Sequence, residues 1–281
     1  MSLTLPASLS PSKVTSFRDC PLAFKFSVID QIPEPPSAPA TKGTLVHRAL
    51  ELLFELDAPK RTVEAALACL DTAWAEIQTD PEYSELQLDA ASAEAFFVDS
   101  QRLVRTYFQL EDPTKITPIG LELKLEANFG SLKLRGIIDR LELDENQDLI
   151  VTDYKTGKAP SERQEAGKLT GVHFYALLCE QVFGKIPAKI QLLYISAPLA
   201  IVATPTVQSV RGTEKKTAAI WQAVEKACLR NDFRPNPTPL CGWCSFKPFC
   251  PAHGGDPANA PVSVGRTTVP PSLAEITPEA N

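Results

Sequence analysis

Hydrophobic and polar positions follow two different patterns along the chain. Between residues 44 and 110, apolar residues recur at intervals of three and four, which is typical of amphipathic helices. After Pro113 the residues alternate strictly, as in "IGLELKLEANF", and this predicts a β-strand. Two more strands, "SLKLRGIIDRLEL" and "DLIVTDYK", are followed by a helix, a strand in "AKIQLLYIS" and a final helix. The order predicts a mixed α/β fold with a small mixed β-sheet flanked by helices.

Composition along the chain predicts its domain organisation. We expect residues 1–253 to form one domain, in which residues 12–112 are mainly helical and residues 113–235 hold the strands. Residues 236–253 form a knuckle rich in proline and cysteine, which is expected to close on Cys20. The remaining residues are rich in proline, alanine and threonine, which predicts a disordered tail over 254–281.

Composition and charge narrow the classes of protein. With 44 % hydrophobic and 22 % charged residues, the composition is typical of a soluble globular protein. We expect no membrane span, because no run of about 18 apolar residues occurs, and no secretory signal precedes the domain. The cytoplasm is therefore the expected location. A net charge of −6 argues against a protein that coats nucleic acid by charge alone.

The charge is unevenly distributed, which qualifies that conclusion. Residues 51–100 carry a balance of −10, whereas residues 1–50 carry +2 and residues 211–250 carry +4. The two ends of the sequence are therefore expected to supply a weakly basic surface, while the middle repels polyanions.

The hairpin "RGIIDRLELDENQDLIVTDYKTGK" places acids at positions where the hydrophobic pattern predicts burial. If "DENQD" is the turn, Asp144 lies opposite Asp148, and the same register puts Asp139 directly opposite Asp153. Residues opposed in this way have Cβ atoms about 5 Å apart. Strand alternation adds Lys155 to the same, otherwise aliphatic stripe. Two adjacent buried carboxylates cost several kcal/mol unless a cation lies between them.

Two interpretations of the hairpin compete. A structural ion cluster, in which Asp139 pairs with Arg140 or Arg135, is common for acids near strand ends. Alternation directs Arg140 to the opposite face, however, and the spacing D-x13-D-x-K brings two acids and a lysine together. The spacing therefore favours a divalent-metal site.

At these residues the chain resembles a known family. The segment "GIIDRLE…DLIVTDYKTGK" is similar to the catalytic hairpin of RecB-like nucleases in the PD-(D/E)XK superfamily, and the likeness covers roughly residues 12–251. It implies a restriction-endonuclease-like core in which Asp139 and Asp153 bind Mg²⁺ or Mn²⁺, with the Tyr154 carbonyl as a further ligand. It also implies that Lys155 orients or deprotonates the attacking water and stabilises charge in the transition state.

Two residues outside the hairpin match the same family. The segment "KGTLVHRALE" resembles the G-x-x-x-H helix of RecB-like nucleases, which implies that His47 is a metal ligand. A lone histidine on a helix is nevertheless more often structural. Glu122 matches a family acid on the strand before the hairpin, but its alternation with Lys124 and Glu126 fits a solvated face equally well.

The helix after the hairpin departs from the family pattern. It carries Tyr175, but Gly171 stands where the family usually has glutamine. Gln164 and Lys168 share a helical face with Tyr175 at intervals of four and seven residues. We expect these three residues to contact the DNA backbone.

Four cysteines lie in segments rich in proline and turn residues. Cys241, Cys244 and Cys250 form a C-x2-C-x5-C motif, and Cys20 in "FRDCPLAFKF" is the expected fourth ligand. The residues alone leave zinc and a 4Fe–4S cluster open. AddB-type and CRISPR-associated RecB-like nucleases place their cysteines in the same way, which implies a 4Fe–4S cluster that joins the two ends of the domain. The aromatic residues expected to pack around it are Trp243, Phe246 and Phe249, and stacking on bases is the alternative for them.

The resemblance as a whole implies a metal-dependent DNA nuclease, an exonuclease on single-stranded ends in repair or recombination. The sequence lacks the G-x-x-x-x-G-K-[ST] motif, so DNA unwinding would require a helicase or recombination partner. One alternative is a non-catalytic DNA-end-binding subunit of a helicase–nuclease or CRISPR adaptation complex, which would not need the paired acids. A second alternative is a zinc-stabilised RNA-binding module.

Overall fold

The structure is a computed structural model that describes residues 3–261, except for the side chains of residues 162–170. The helices in this part are α1 (Pro11–Asp19), α2 (Pro21–Phe24), α3 (Ala38–Glu55), α4 (Val63–Ile77), α5 (Pro81–Glu85), α6 (Ala90–Tyr107), α7 (Glu162–Phe183) and α8 (Val207–Arg230). The strands are β1 (Pro118–Phe129), β2 (Leu132–Leu143), β3 (Leu149–Lys155), β4 (Lys189–Tyr194) and β5 (Leu199–Ala203).

The strands form one mixed sheet in the order β1-β2-β3-β4-β5. Strands β1 to β3 are an antiparallel meander, β4 joins β3 in parallel after the crossover helix α7, and β5 is antiparallel to β4. Helices α7 and α8 pack on a core that includes Ile138, Leu141 and Val151. Helices α3, α4 and α6 pack on a second core, which includes Tyr154 and Leu193. The predicted fold class is confirmed.

The hairpin has the register that its turn predicts. Leu143 pairs with Leu149 and Arg140 with Thr152, and the ladder between β2 and β3 ends there. Beyond that point the strands separate. The N–H of Tyr154 is then bonded by a side chain of β2 instead of its backbone, since Asp139 Oδ2 accepts it at 2.6 Å. The metal-site acids predicted from this hairpin therefore lie at the fork between two strands.

Burial along β2 does not follow simple alternation. Ile137, predicted to be buried beside Asp139, is 45 % exposed, whereas Ile138 is buried. Arg140 points away from Asp139 as predicted, but it too is fully buried, under the helices. Helices cover both faces of the sheet and bury Arg140, whereas Ile137 lines an open cleft, so alternation alone does not predict burial here.

Helix α3 begins earlier than the sequence pattern predicts. Segments rich in proline such as "PEPPSAPATKG" are typical of loops, yet the helix begins at Ala38. Ser37 caps it by accepting the N–H of Ala40 at 3.4 Å, and Pro39 lies in the first turn, where its missing N–H costs nothing.

The N-terminal segment adds a short parallel contact to the sheet. Leu9 donates its N–H to the carbonyl of Lys133 at 2.9 Å and accepts the N–H of Arg135 at 2.8 Å. Because β1 occupies the other edge of β2 at this point, the segment lies on the edge that β3 has left. The N-terminus therefore faces the fork of the hairpin.

The chain continues in defined structure past residue 253, where the domain was expected to end. Residues Pro257–Asn259 form a 3₁₀ turn, and Ala260 packs on the cluster of buried residues beside the cysteines. The rest of the predicted tail, residues 262–281, lies outside the described residues. Within residues 3–261, every helix is too short or too polar to cross a membrane.

Candidate functional site

A cleft of about 910 Å³ opens at the fork between β2 and β3. Five of its lining residues are those predicted to be catalytic or metal-binding: His47, Glu122, Asp139, Asp153 and Lys155. They come from four elements, α3, β1, β2 and β3, which the fold brings together at this point. Residues between Ser8 and Ser16, which belong to the N-terminal segment and the start of α1, line the cleft as well.

His47, Glu122 and Asp139 form a group with metal-binding potential. Each offers a ligand atom, and the three atoms lie within 4.8 Å of one another. His47 Nδ1 is 3.6 Å from Asp139 Oδ2 and 3.8 Å from Glu122 Oε1, which is too far for direct hydrogen bonds. Its Nε2 lies 3.1 Å from the Tyr154 carbonyl, to which it donates in the Nε2–H tautomer. Metal-ligating histidines typically orient themselves by such a bond from the second ring nitrogen.

A close approach of α3 to the chain after β3 positions His47. A Cβ atom at Gly43, one turn earlier, would lie 3.2 Å from Thr156 Oγ1. Glycine at this position therefore lets the helix pack against the end of the catalytic hairpin, which gives a physical reason for the G-x-x-x-H spacing.

The backbone of Glu122 is strained. Its φ of +43° lies in the left-handed region, which costs a non-glycine residue about 1–3 kcal/mol. The adjacent residues pair with β2, Leu121 with Arg140 and Leu123 with Ile138, whereas Glu122 itself is missing from the ladder. Lys124 and Glu126 are exposed, whereas the Glu122 side chain is 35 % exposed and its Oε1 lies 3.8 Å from His47 Nδ1.

Asp153 is buried with an incomplete set of partners. Its Oδ2 contacts the ammonium of Lys155 but makes no well-directed hydrogen bond within the described chain. Its Oδ1 lies 3.5 Å from the Tyr175 hydroxyl. Within the described residues the Lys155 ammonium is thus the one close cation at Oδ2, and a bound metal ion would add a second positive partner for this buried carboxylate.

The pKa shifts in the cleft reflect an excess of negative charge. Burial and the adjacent Asp153 charge raise the pKa of Asp139. Burial lowers the pKa of His47, but the Glu122 and Asp139 carboxylates outweigh this and raise it overall. Burial likewise lowers the pKa of Lys155, and Asp153 reverses the effect, so the amine is held protonated. The cleft therefore favours positively charged groups.

The remaining predicted contacts have different outcomes. The Tyr154 carbonyl, predicted as a metal ligand, lies 3.1 Å from His47 Nε2, and its role as a ligand stays a prediction. Tyr175 lines the cleft, whereas the side chains of Gln164 and Lys168 lie outside the described residues. Their roles stay predictions.

A buried polar network behind the site was not predicted. Arg140 is fully buried and bonds Glu111 through both terminal nitrogens at 2.8 Å, Glu142 at 2.7 Å and the Tyr154 hydroxyl at 2.8 Å. Tyr154 is shared with the cleft, because its N–H and carbonyl contact Asp139 and His47. Alternation put Arg140 on this face, but Glu111, from the end of the helical region, could not be identified as its partner from sequence.

The four predicted cysteines come together at the far end of α1. Cys20, Cys241, Cys244 and Cys250 line one cavity of about 30 Å³, beside Phe26 and other apolar residues. Burial raises the pKa of Cys244, and the other three thiols add to the effect.

Backbone N–H groups point at three of the sulfur atoms. They are Asn236 N at 3.5 Å from Cys20 Sγ, Thr238 N at 3.3 Å from Cys241 Sγ, and Phe246 N beside Cys244. Sulfur atoms with such donors are well suited to carry thiolate charge.

The aromatic residues of the knuckle divide into two groups. Phe246 and Phe249 pack on Phe26, with ring centroids 5.4 and 6.3 Å apart. Trp243 was expected to join them, and this is wrong, since it is 88 % exposed.

Comparison with known proteins finds phage proteins of related sequence and a solved structure of similar fold. Over 134 residues the chain is 28 % identical to the gene 69 protein of Mycobacterium phage L5, a match that covers 47 % of this chain and 44 % of that protein. Over 264 residues it is 24 % identical to the gene 69 protein of Mycobacterium phage D29, covering 86 % and 96 % of the two chains. The crystal structure of a candidate exonuclease from Eubacterium rectale has a similar fold, with a TM-score of 0.55, 11 % identity and coverage of 85 % and 87 %.

A family match covers most of the sequence. Residues 8–251 match the PD-(D/E)XK nuclease superfamily, a range that includes the forked hairpin, the helix that carries His47 and all four clustered cysteines. Proteins of this superfamily use divalent metals to cleave nucleic acids. The chain belongs to the PD-(D/E)XK nuclease superfamily.

Proposed function

We propose that this chain is a metal-dependent deoxyribonuclease of the RecB-like branch, acting as an exonuclease on single-stranded DNA ends in DNA repair or recombination. The observation that carries the proposal is one cleft that holds the group His47, Glu122 and Asp139 next to Asp153 and Lys155. Superfamily membership supports the chemistry. A helicase or recombination protein is the proposed partner.

The donor set fits Mg²⁺ or Mn²⁺. It consists of carboxylate oxygens and one imidazole nitrogen, and it includes the poorly satisfied oxygen of Asp153. In this proposal Glu122, Asp139, Asp153 and His47 Nδ1 hold the ion, while the Tyr154 carbonyl keeps the His47 ring in orientation. A bound divalent cation would lower the pKa of a water molecule and neutralise charge on the scissile phosphate.

Lys155 adds the positive charge of a side chain to that of the proposed metal ion. Its ammonium lies against Asp153 and is held protonated, so it is placed to orient the attacking water by donating to it. The same charge stabilises the negative charge that develops on the phosphate in the transition state. Tyr175, Gln164 and Lys168 are proposed to contact the DNA backbone.

The proposal is tested with end-labelled single- and double-stranded DNA in the presence of Mn²⁺. Asp153→Asn should abolish cleavage, because it removes one negative charge from the proposed ion site and keeps the shape of the side chain. Asp148→Asn is the matched control, since Asp148 is exposed on the turn of the same hairpin. This control should cleave like the wild type, and shortening from one labelled end would show exonuclease action.

Two results would contradict the proposal. Cleavage that persists in Asp153→Asn at the wild-type rate would mean that the acids of the hairpin do not catalyse it. DNA-end binding by the wild type without any metal-dependent cleavage would favour the alternative, a non-catalytic DNA-end-binding subunit.

We further propose that the four clustered cysteines bind a 4Fe–4S cluster. Four thiols that converge on one small cavity, with backbone donors at three sulfurs, fit a group held by four thiolates. The similar placement of cysteines in AddB-type and CRISPR-associated nucleases is the reason to prefer the cluster to zinc. A cluster of this kind would cross-link Cys20 to the C-terminal knuckle.

Metal content tests this second proposal. Protein purified without oxygen should absorb visible light and contain about four iron and four sulfide per chain. Cys244→Ser should lose both, whereas Cys69→Ser, at a cysteine outside the cavity, should retain them. One equivalent of zinc in a colourless protein would refute the cluster.

A further inference from the structure

The wall of the cleft formed by the N-terminal segment and nearby β1 and β2 residues carries positive charge that the proposed metal site does not use. Lys13 of α1, Lys124 of β1 and Arg135 of β2 line the same cleft as the acids. Hydroxyl groups from Ser10, Ser12, Thr15 and Ser16 lie on this wall as well. One cleft thus has an acidic part and a cationic part.

Lys13 is a half-buried ammonium that has no acidic partner among the side chains that the structure describes. No carboxylate of residues 3–261 whose side chain is described lies within 4.0 Å of its Nζ, which donates to the Ser8 carbonyl at 3.1 Å. Burial and the nearby charge of Arg135 lower its pKa. Two cations that repel each other in a partly dehydrated place are stabilised by an anion that contacts both.

The other two cations leave the wall positively charged. Lys124 is exposed and has no ion pair in the described part of the chain. Arg135 bonds Glu126 at 2.7 Å, but the same carboxylate also contacts Lys133, so one acid serves two bases. The single glutamate therefore does not neutralise the wall.

The fold holds this wall in place opposite the acids. Leu9 is fully buried and paired to β2, and Ser10 caps α1 by accepting the N–H of Lys13. Lys124 and Arg135 lie on the strands that carry Glu122 and Asp139. The cations and the acids are thus fixed to the same sheet, and an extended anion in the cleft can contact both.

We propose that Lys13, Lys124 and Arg135 form a phosphate-binding wall, which holds the phosphodiester backbone of the DNA strand next to the bond that is cleaved. The proposal rests on the proposed nuclease function and names the part of the site that holds the substrate. Contacts to phosphates position a strand without reading its bases. The wall therefore holds a DNA strand without regard to its base sequence.

Binding measurements test the wall separately from cleavage. In an Asp153→Asn background, the affinity for fluorescein-labelled oligothymidylate is measured by anisotropy over a series of salt concentrations. Lys13→Gln and Lys124→Gln should each lower the slope of log affinity against log salt by about 0.7 and weaken binding about four-fold at 0.15 M salt. Lys13→Arg should restore binding. Made singly in the protein that retains Asp153, these substitutions should leave Mn²⁺ affinity unchanged.

The matched control is Lys216→Gln, which removes the same charge from an exposed position of α8 outside the cleft. If Lys13→Gln and Lys124→Gln bind like this control, the proposed wall is refuted, even if the wild type cleaves DNA. If they bind more weakly but the wild type never cleaves, the wall stands and the nuclease proposal fails. If Lys13→Gln lowers thermal stability, its weaker binding could reflect unfolding. The binding of Lys124→Gln then decides the question, because Lys124 is exposed and its substitution leaves the packing intact.

Discussion

At the scale of single residues, the site depends on a buried cation that never reaches the cleft. Arg140 has no exposed surface and compensates Glu111 and Glu142, which are largely buried. Removing one partner of a buried ion cluster leaves uncompensated charges, which costs far more than losing a surface pair. Tyr154 links this cluster to Asp139 and His47, so damage to it is expected to reach the cleft.

Arg140→Met should lower the free energy of unfolding by about 3–5 kcal/mol. Arg48→Met is the control, because Arg48 also bonds two glutamates but is partly exposed, and it should cost about 1 kcal/mol or less. Urea denaturation of both variants measures the difference. Burial already raises the pKa of Glu142. The Arg140→Met penalty should therefore shrink as the pH falls toward 4.5, since protonated acids need no cation.

At the scale of elements, direct contact between α7 and β2 shapes the floor of the cleft. A Cβ atom at Gly136 would lie 2.7 Å from Leu178 Cδ1 and 3.3 Å from Tyr175 Cε1. The absence of a side chain here lets the helix approach the strand and places Tyr175 beside Asp153.

Gly136→Ala should therefore destabilise the protein by about 1–3 kcal/mol, because the added methyl overpacks this contact. Gly171→Ala, at a helical position of α7 with nothing within 4 Å, should have the opposite sign and stabilise by about 0.8–1 kcal/mol. Thermal or urea unfolding of the two variants decides the matter. Equal effects of the two substitutions would contradict the packing argument.

Local sequence signals predicted the elements well where a single rule applied. The turn "DENQD" sets the register of the hairpin, because pairing propagates residue by residue from a tight turn. The start of α3 was missed because proline suggests a loop, although it also fits the first helical turn. The exposure of Ile137 was missed because alternation identifies faces but not what covers them.

At the scale of the whole molecule, the features that sequence reasoning missed are contacts between distant segments. Glu111, a partner of Arg140, lies 29 residues earlier in the chain, before β1, and the N-terminal segment completes the cleft by pairing with β2. No periodic pattern in the sequence predicts either contact, because each depends on how distant elements pack together in the folded protein. The cysteines were predicted as one group because the spacing of Cys241, Cys244 and Cys250 and the need for a fourth thiolate ligand indicate a common site.

Helix α1 joins the two functional regions of the molecule. Its first turn, with Lys13, lines the cleft, and its last residue precedes Cys20 in the cysteine cavity. A cluster bound to Cys20 would therefore anchor the C-terminal end of the helix to the knuckle. Loss of that anchor is expected to loosen α1 and, through it, the phosphate-binding wall.

Cys250→Ser tests this coupling. It should abolish iron binding, raise amide hydrogen exchange in residues 11–24 at least ten-fold, and weaken single-stranded DNA binding, because opening α1 then costs about 1.4 kcal/mol less for each ten-fold rise. Cys69→Ser should change none of these. Unaltered exchange of α1 in an iron-free Cys250→Ser protein would show that the knuckle and the cleft are independent. Faster exchange confined to α1, with the hairpin unchanged, would instead trace the effect to this helix.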